Sequence, residues 1–320
     1  MVFFITVLRA VSALIITNSH YTGFYPTDLI ANGGLLGDVI FFAVSGYCLF
    51  NVKMSFGKWY LKRFIRVYTP VIIITLAYIL IGWYQIDMNF KSLVWWFVYP
   101  TNYHFIASIV VLYIPFYFVA KLKPFRENLP KVMIGVLVAY MLVYVLAYDK
   151  SYYHIDTVRE PMIRFLFFES MLLGAWFKQN SNKVKEAYSG WHWGLSAVLF
   201  VLYFGSKMIF SKVEQISSFQ SVNQIILFAL LFGVFWCFSG IDEWMERSFA
   251  PGIKKVVTFV SERTLEIYVV QYAIISFVRD REMMFPLNWF VVTVAIIVAA
   301  TALHFVVGLV NKQTDRLFER

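Results

Sequence analysis

The chain has 320 residues, 60% of them hydrophobic and 15% charged, with a mean hydropathy of +0.67. That balance excludes a sizeable soluble domain and calls for several membrane spans. The formal net charge of +9 does not point to nucleic acid, because the basic residues sit in short loops between apolar runs, where membrane topology accounts for them.

The first apolar run, 2–21, reads FFITVLRAVSALIITNSHY from Phe3 onward. Arg9 in its middle and the lack of a small-residue cleavage site favour a retained helix over a signal peptide. At about 100° per residue, eleven residues bring a helix round to within roughly 20° of its start. Arg9, Ala13, Ile16 and His20 therefore share one face. Arg9 and His20 would lie roughly 16 Å apart along the axis. An arginine near mid-span costs about 2.5–3.5 kcal/mol on insertion scales. The pair reads either as a snorkelling arginine with an interfacial histidine, or as a functional pair whose imidazole takes and returns a proton. Ser12 and Ala13 are small and leave room beside this face. The loop Thr22 to Gly34 carries no basic residue, and a loop of this kind is expected to line a polar opening.

The second run, 35–52, is preceded by Gly34 and contains Gly37 and Asp38 at its outer end. Asp38 reads as an orienting group for the imidazole, a sugar-hydroxyl ligand, or a solvated helix cap. Ser45 and Gly46 read as packing sites between helices. The third run, 66–85, is introduced by KWYLKRFIRVYTP. Arg63 and Arg66 are i, i+3 and face the same way, with Lys62 one turn before Arg66. This trio reads as an anion cradle or as ordinary basic flanking. Pro70, four residues past Arg66, is expected to bend the helix.

Seven further runs follow at about 102–120, 131–148, 161–177, 191–206, 221–238, 262–279 and 286–310. His104 opens the fourth and reads as interfacial or substrate-facing. Glu169 lies inside the sixth, where a carboxyl needs a partner or a proton. Glu160 and Arg164 are i, i+4 and suited to pair. In the ninth, Thr264, Tyr268 and Gln271 fall on one face and Glu266 is offset, a polar seam or interhelical glue. Trp95, Trp96, Tyr103, Trp191 and Trp193 sit where an interfacial belt would place them.

The fold class is thus an all-α integral membrane protein of about ten transmembrane helices, with residues 1–320 forming one transmembrane domain and no attached soluble domain. Sidedness follows from the lysines and arginines. With a cytoplasmic N-terminus, nineteen of the 28 fall in inside loops, seven in outside loops, and Arg9 and Arg164 within spans. Both termini are therefore expected in the cytoplasm. Cys48 and Cys237 fall near cytoplasmic helix ends, where a structural disulfide is not expected. There is no Walker motif, G-x-S-x-G, Rossmann fingerprint or metal-spaced His/Glu set.

Taken in order, these stretches resemble the acyltransferase-3 family of integral membrane acyltransferases. Arg9 and His20 match its first-helix pattern of Arg or Lys, ten residues, then His. Gly37, Phe41, Phe42, Ser45 and Gly46 match a G-x-x-x-F-F-x-x-S-G pattern in the second helix. Arg63 and Arg66 match R-x-x-R at the third. Thr264, Glu266, Ile267, Tyr268 and Gln271 are similar to a late segment that ends in His or Gln. Gln271 in place of His removes proton transfer there and keeps hydrogen bonding.

The resemblance implies acetyl-CoA as acyl donor and a hydroxyl of a cell-surface polysaccharide, or its lipid-linked precursor, as acceptor, at a bacterial cell membrane. Arg63 and Arg66, with Lys62, would hold the CoA phosphates, and the pantetheine arm would run past Arg9. His20 would act as general base on the acceptor hydroxyl or take the acetyl group first, with Asp38 beside it. Glu169, Glu266, Tyr268, Gln271 and His104 are the candidate acceptor-binding residues. The rival class is a transporter of a small or glycan-related substrate, since buried charges also suit a substrate path. Against it stand the lack of an internal inverted repeat and of paired broken helices. A non-catalytic scaffold in an assembly complex is the third reading.

Overall fold

The computed structural model describes residues 2–87, 89–98, 103–157, 161–281 and 283–318. They form fifteen α-helices and no strand among the described residues. In chain order these are α1 (Phe3–Ser19), α2 (Gly34–Leu49), α3 (Phe56–Leu80), α4 (Phe90–Leu93), α5 (His104–Lys121), α6 (Lys123–Arg126), α7 (Leu129–Leu146) and α8 (Pro161–Gln179). There follow α9 (Ser181–Glu186), α10 (Trp191–Lys212), α11 (Ser221–Gly240), α12 (Asp242–Ser248), α13 (Pro251–Glu262), α14 (Thr264–Arg279) and α15 (Leu287–Phe318). A π-helical turn, Val94–Val98, continues α4, and a 3-10 helix, Glu214–Phe219, precedes α11.

Each of the ten apolar runs coincides with a helix. Prolines mark several starts: Pro124, Pro130, Pro161 and Pro251 stand in the first turns of α6, α7, α8 and α13. There the missing N–H has no intrahelical partner to lose. Among the described residues, six helices are long and apolar enough to cross a membrane: α3, α5, α7, α10, α11 and α15. The apolar α1 and α2 are shorter, at 17 and 16 residues. The 16-residue α14 is shorter too, and α8 carries Arg164, Glu169 and Lys178. Helix α3 begins ten residues before the expected span and runs through Pro70 to Leu80. Lys62, Arg63 and Arg66 therefore lie within its early turns rather than ahead of it.

The chain divides into two compact units, each drawn from three segments. The first comprises Met1–Arg9, Asp38–Lys53 and Ile114–Lys254. Within it α7 packs on α8, and α11 packs on both α8 and α10. Helices α2 and α8 meet without side chains between them. A Cβ on Gly46 would strike the Met171 carbonyl, and one on Gly174 would strike that of Ala43. The expected packing role of the Ser45–Gly46 step is realised here by Gly46. Phe42 stacks on Phe167 at 4.2 Å just beyond this contact.

The second unit comprises Ala10–Gly37, Met54–Tyr113 and Lys255–Arg320. Here α3, α14 and α15 pack on one another. The Tyr78 and Tyr103 hydroxyls donate to the carbonyls of Val270 (2.8 Å) and Val269 (3.2 Å), which fixes the middle of α14. Gly37 lets the start of α2 approach α1 closely. A Cβ there would lie 2.7 Å from Ile16 Cγ1 and 3.0 Å from the Ser12 carbonyl.

The segment between α1 and α2 is anchored at several points. Tyr21 and Phe24 are buried. The Asn288 amide donates to the Phe24 carbonyl (3.2 Å), and the Asn18 amide to that of Ile30 (2.7 Å). The Tyr25 hydroxyl donates to Asn18 Oδ1 (2.7 Å) and accepts from the Trp289 indole (2.9 Å). Gly23 and Gly33 take positive φ of 82° and 93°, which a residue with a Cβ rarely adopts. The loop is thus a strap tied to the start of α15, and what it positions is the end of α1.

Candidate active site

Helix α1 ends at Ser19, and His20 stands in the turn beyond it, with its N–H donating to the Thr17 carbonyl at 3.1 Å. Two long-range contacts define this turn. Arg279, the last residue of α14, donates to the His20 carbonyl at 3.2 Å, and its guanidinium lies 5.8 Å from the Phe24 ring. One helical turn below, the Thr17 hydroxyl donates to Gln271 Oε1 at 2.7 Å. The Tyr21 hydroxyl pairs with that of Thr293 at 3.0 Å. The His20 backbone is therefore held from α14 and its neighbours from α15, while its side chain stays accessible.

Accessible does not mean freely hydrated. The protein atoms crowded around the ring withdraw water from it, and the Arg279 cation adds a smaller repulsion. Desolvation first and Arg279 second hold the His20 pKa below its ordinary value. The imidazole is thus neutral at neutral pH, with a lone pair to accept a proton. This is the protonation state a general base needs.

The basic cluster lies in the same unit. Lys62 and Arg63 are half-buried and Arg66 is exposed along the early turns of α3. Aromatic side chains shore up this stretch. Trp59 is buried with its ring 5.7 Å from Tyr113, and Phe64 stacks on Tyr68 at 4.1 Å. The cations stand on a rigid helix rather than a loop, which suits a fixed anion site.

Helix α14 supplies the polar seam. Gln271 is spent on Thr17, as a hydrogen-bonding residue in the place of a histidine can be. Tyr268 packs against Phe105 (5.2 Å) and Tyr103 (6.4 Å). The Thr264 hydroxyl returns to the Ser261 carbonyl at 2.9 Å. The offset Glu266 turns elsewhere: its Oε1 lies 2.9 Å from Nδ1 of His304 on α15. Glu266 is buried and the His304 side chain is partly exposed. A carboxylate on one ring nitrogen fixes the tautomer and leaves the other facing outward. His104 opens α5, half-buried, next to the buried Tyr103.

Three expected site residues belong to the first unit. The Arg9 guanidinium reaches Cys48 Sγ at 3.9 Å. Asp38 is buried inside α2, which removes the reading of a solvated cap. It lies within electrostatic range of the buried Tyr203 hydroxyl. Glu169 is buried on α8 with Oε1 lacking a hydrogen-bond partner among the described residues. Arg164 lies on the same helix; the expected pairing with Glu160 falls outside the described residues. Neither Cys48 nor Cys237 forms a disulfide among the described residues.

Sequence reasoning passed over two residues. Arg279 was one of several outer-loop cations. His304 sits alone in the apolar run VAIIVAATALHFVVGLV, and the rule that singled out Arg9 and Glu169, that an ionisable group inside a span has a function, would have found it. A family model described as an acyltransferase domain matches residues 2–309. Comparison with curated proteins and with solved structures gives no match.

Proposed function

The chain belongs to the acyltransferase-3 family and is a membrane acyltransferase, and on that premise we propose that it moves an acetyl group from acetyl-CoA to a hydroxyl of a cell-surface polysaccharide or of its lipid-linked precursor. The carrying observation is the placement of His20: its side chain is accessible and its backbone is held by Arg279.

In the proposed reaction His20 accepts the acceptor's hydroxyl proton as the oxygen attacks the thioester carbonyl. The new C–O bond forms, the C–S bond breaks, and the departing thiolate of CoA takes up a proton. In the other route the imidazole attacks the thioester carbonyl, the C–S bond breaks and CoA leaves as its thiol, and the acetyl group then passes from the ring to the hydroxyl oxygen, whose proton returns to the imidazole. Arg63 and Arg66, with Lys62, would bind the CoA phosphates in the cytoplasm, since guanidinium forks match phosphate. Arg9 would meet the pantetheine arm. Asp38, His104, Glu169, Glu266, Tyr268 and Gln271 are the proposed acceptor-side groups. Most of the rate gain would come from positioning, which can supply several kcal/mol of the barrier.

The test uses radiolabelled acetyl-CoA with the purified protein in membranes and the host's polysaccharide as acceptor. Label should reach the polysaccharide as an alkali-labile ester, and His20→Ala should abolish this while the protein stays folded in the membrane. His20→Ala with wild-type CoA release would overturn the catalytic assignment. Export of polysaccharide without any label on it would favour a transporter.

A further inference from the structure

His304 is the one ionisable residue in the apolar run VAIIVAATALHFVVGLV of α15, and the reaction above gives it no task. An imidazole in such a run is costly and is kept there by a function or a partner. It has a partner: Glu266 Oε1, on α14, lies 2.9 Å from its Nδ1. The two members are placed unequally. The Glu266 side chain is 7% exposed and that of His304 37%. A pair that only joined two helices would bury both groups. Here the carboxylate is enclosed, and the ring's far nitrogen, Nε2, carries no hydrogen bond among the described residues.

The surroundings of the ring differ in its two directions along α15. Toward the N-terminus stands Thr293, eleven residues away, which on a helix is roughly 16 Å and within roughly 20° of the same direction. Thr293 pairs with the Tyr21 hydroxyl at 3.0 Å, and Tyr21 follows His20 in the chain. The face of α15 that carries His304 therefore leads to the turn that holds His20. Toward the C-terminus, one turn on, stands Gly308. Helical Cβ atoms tilt toward the N-terminus, so a Cβ on Gly308 would point back at the His304 turn, and it would meet no atom within 4 Å. The space beside the ring is open. Helix α3, which carries Lys62, Arg63 and Arg66, packs on both α14 and α15. All of these residues belong to the second unit.

Resting on the donor reading above, we infer that His304 contacts the pantetheine arm of the acyl donor, accepting a hydrogen bond from an amide of the arm at Nε2, while Glu266 positions the ring through Nδ1. The chemistry of the pair selects this ligand. A ring that donates Nδ1–H to a carboxylate keeps a lone pair on Nε2 and accepts there. The arm is a slim chain with two amide N–H donors, and it has to pass from the phosphates toward the base. An ionised phosphate has no hydrogen to offer that lone pair, so the phosphates stay with the cations of α3. The missing side chain of Gly308 leaves the arm its width. Glu266, set above among the acceptor-side groups, then acts on the donor, through His304.

The test is one of binding, so it needs neither acceptor nor turnover. The whole chain in lipid nanodiscs is titrated with tritiated CoA and with tritiated ADP, which has the diphosphate and lacks the arm. His304→Ala and Glu266→Ala should each weaken CoA binding about fivefold to tenfold, the size of one hydrogen bond, and leave ADP binding as in the wild type. Gly308→Leu fills the open space and leaves the Glu266–His304 pair intact, so it should fold even where His304→Ala does not. It should weaken CoA at least as much and again spare ADP. Equal losses of CoA and ADP in these variants would mean that the pair only braces the helices, and would overturn the inference. Wild-type affinity for CoA in Gly308→Leu or in folded His304→Ala would turn this face of α15 toward lipid and overturn it too. A wild type that binds neither ligand would instead remove the donor reading, and the inference with it.

Discussion

The contact between α2 and α8 allows a graded test. A Cβ added at Gly46 would run into the Met171 carbonyl, and neither atom belongs to a flexible side chain. Carbon–oxygen contacts between helices settle near 3.3–3.6 Å, so the helices must part by on the order of 1 Å. A gap of that size forfeits about a quarter to a half of the local dispersion energy. Overpacking of this kind costs typically about 1–3 kcal/mol, against a gain of up to about 1 kcal/mol from replacing glycine by alanine in a helix. Gly135, on α7, is the internal control, because a Cβ there has no atom within 4 Å. Gly46→Ala should therefore be about 1–3 kcal/mol less stable than Gly135→Ala, since the gain in helix propensity is common to both. Gly174→Ala should behave like Gly46→Ala, since its Cβ meets the Ala43 carbonyl. The buried thiol of Cys237 reports on the same unit. In a Cys48→Ser background, thermal exposure of Cys237 to a thiol-reactive dye in detergent gives the melting curve. Coincident curves for Gly46→Ala and Gly135→Ala would refute the backbone contact and with it the packing role of the second-helix glycine.

Three other expectations concern activity. Replacing Arg279 with Gln removes the cation that helps hold His20 below its ordinary pKa, leaving desolvation, the larger cause, in place. The His20 pKa then rises, and since only the neutral ring can act as base, the acidic limb of the rate profile moves to higher pH; an unmoved limb would mean that Arg279 does not tune the imidazole. Arg66→Ala should raise the KM for acetyl-CoA by roughly tenfold or more, the size of a lost charge-assisted contact, with kcat within about twofold; the opposite split, measured by initial rates, would remove Arg66 from donor binding. Glu266→Gln and His304→Gln should not add: their double-mutant cycle is expected to show about 0.5–3 kcal/mol of coupling in stability or activity, whereas additive effects would dissolve the pair joined at 2.9 Å.

Much of this protein is local in origin. A helix is selected by apolar residues within a few turns of one another, so all ten runs from 2–21 to 286–310 are visible as stretches of chain, and each coincides with a helix. The same locality made the shared face of Lys62, Arg63 and Arg66 readable, and the small Ser45–Gly46 step as a place for close packing. Boundaries were less legible. Helix α3 starts at Phe56 because the aromatic residues between the cations, Trp59 and Tyr60 among them, extend a helix that a hydropathy window cuts at Arg66. The anchoring of the strap at 20–33 was not legible for a related reason. Its polar residues are loop-like by composition, but Asn18, Tyr25 and Asn288 spend their hydrogen bonds on holding it down.

The pairings that build the candidate site lie beyond any local pattern. Arg279 meets His20 across 259 residues, Gln271 meets Thr17 across 254, and His304 meets Glu266 across 38. Periodicity tells which side of a helix is apolar, not which distant helix that side faces. A buried carboxylate or a cation at a helix end is an unfinished interaction, and its partner is chosen by how the helices pack. Arg279 was just one more outer-loop cation until α14 was laid beside the end of α1. It became part of the site when packing brought its guanidinium to the carbonyl of His20.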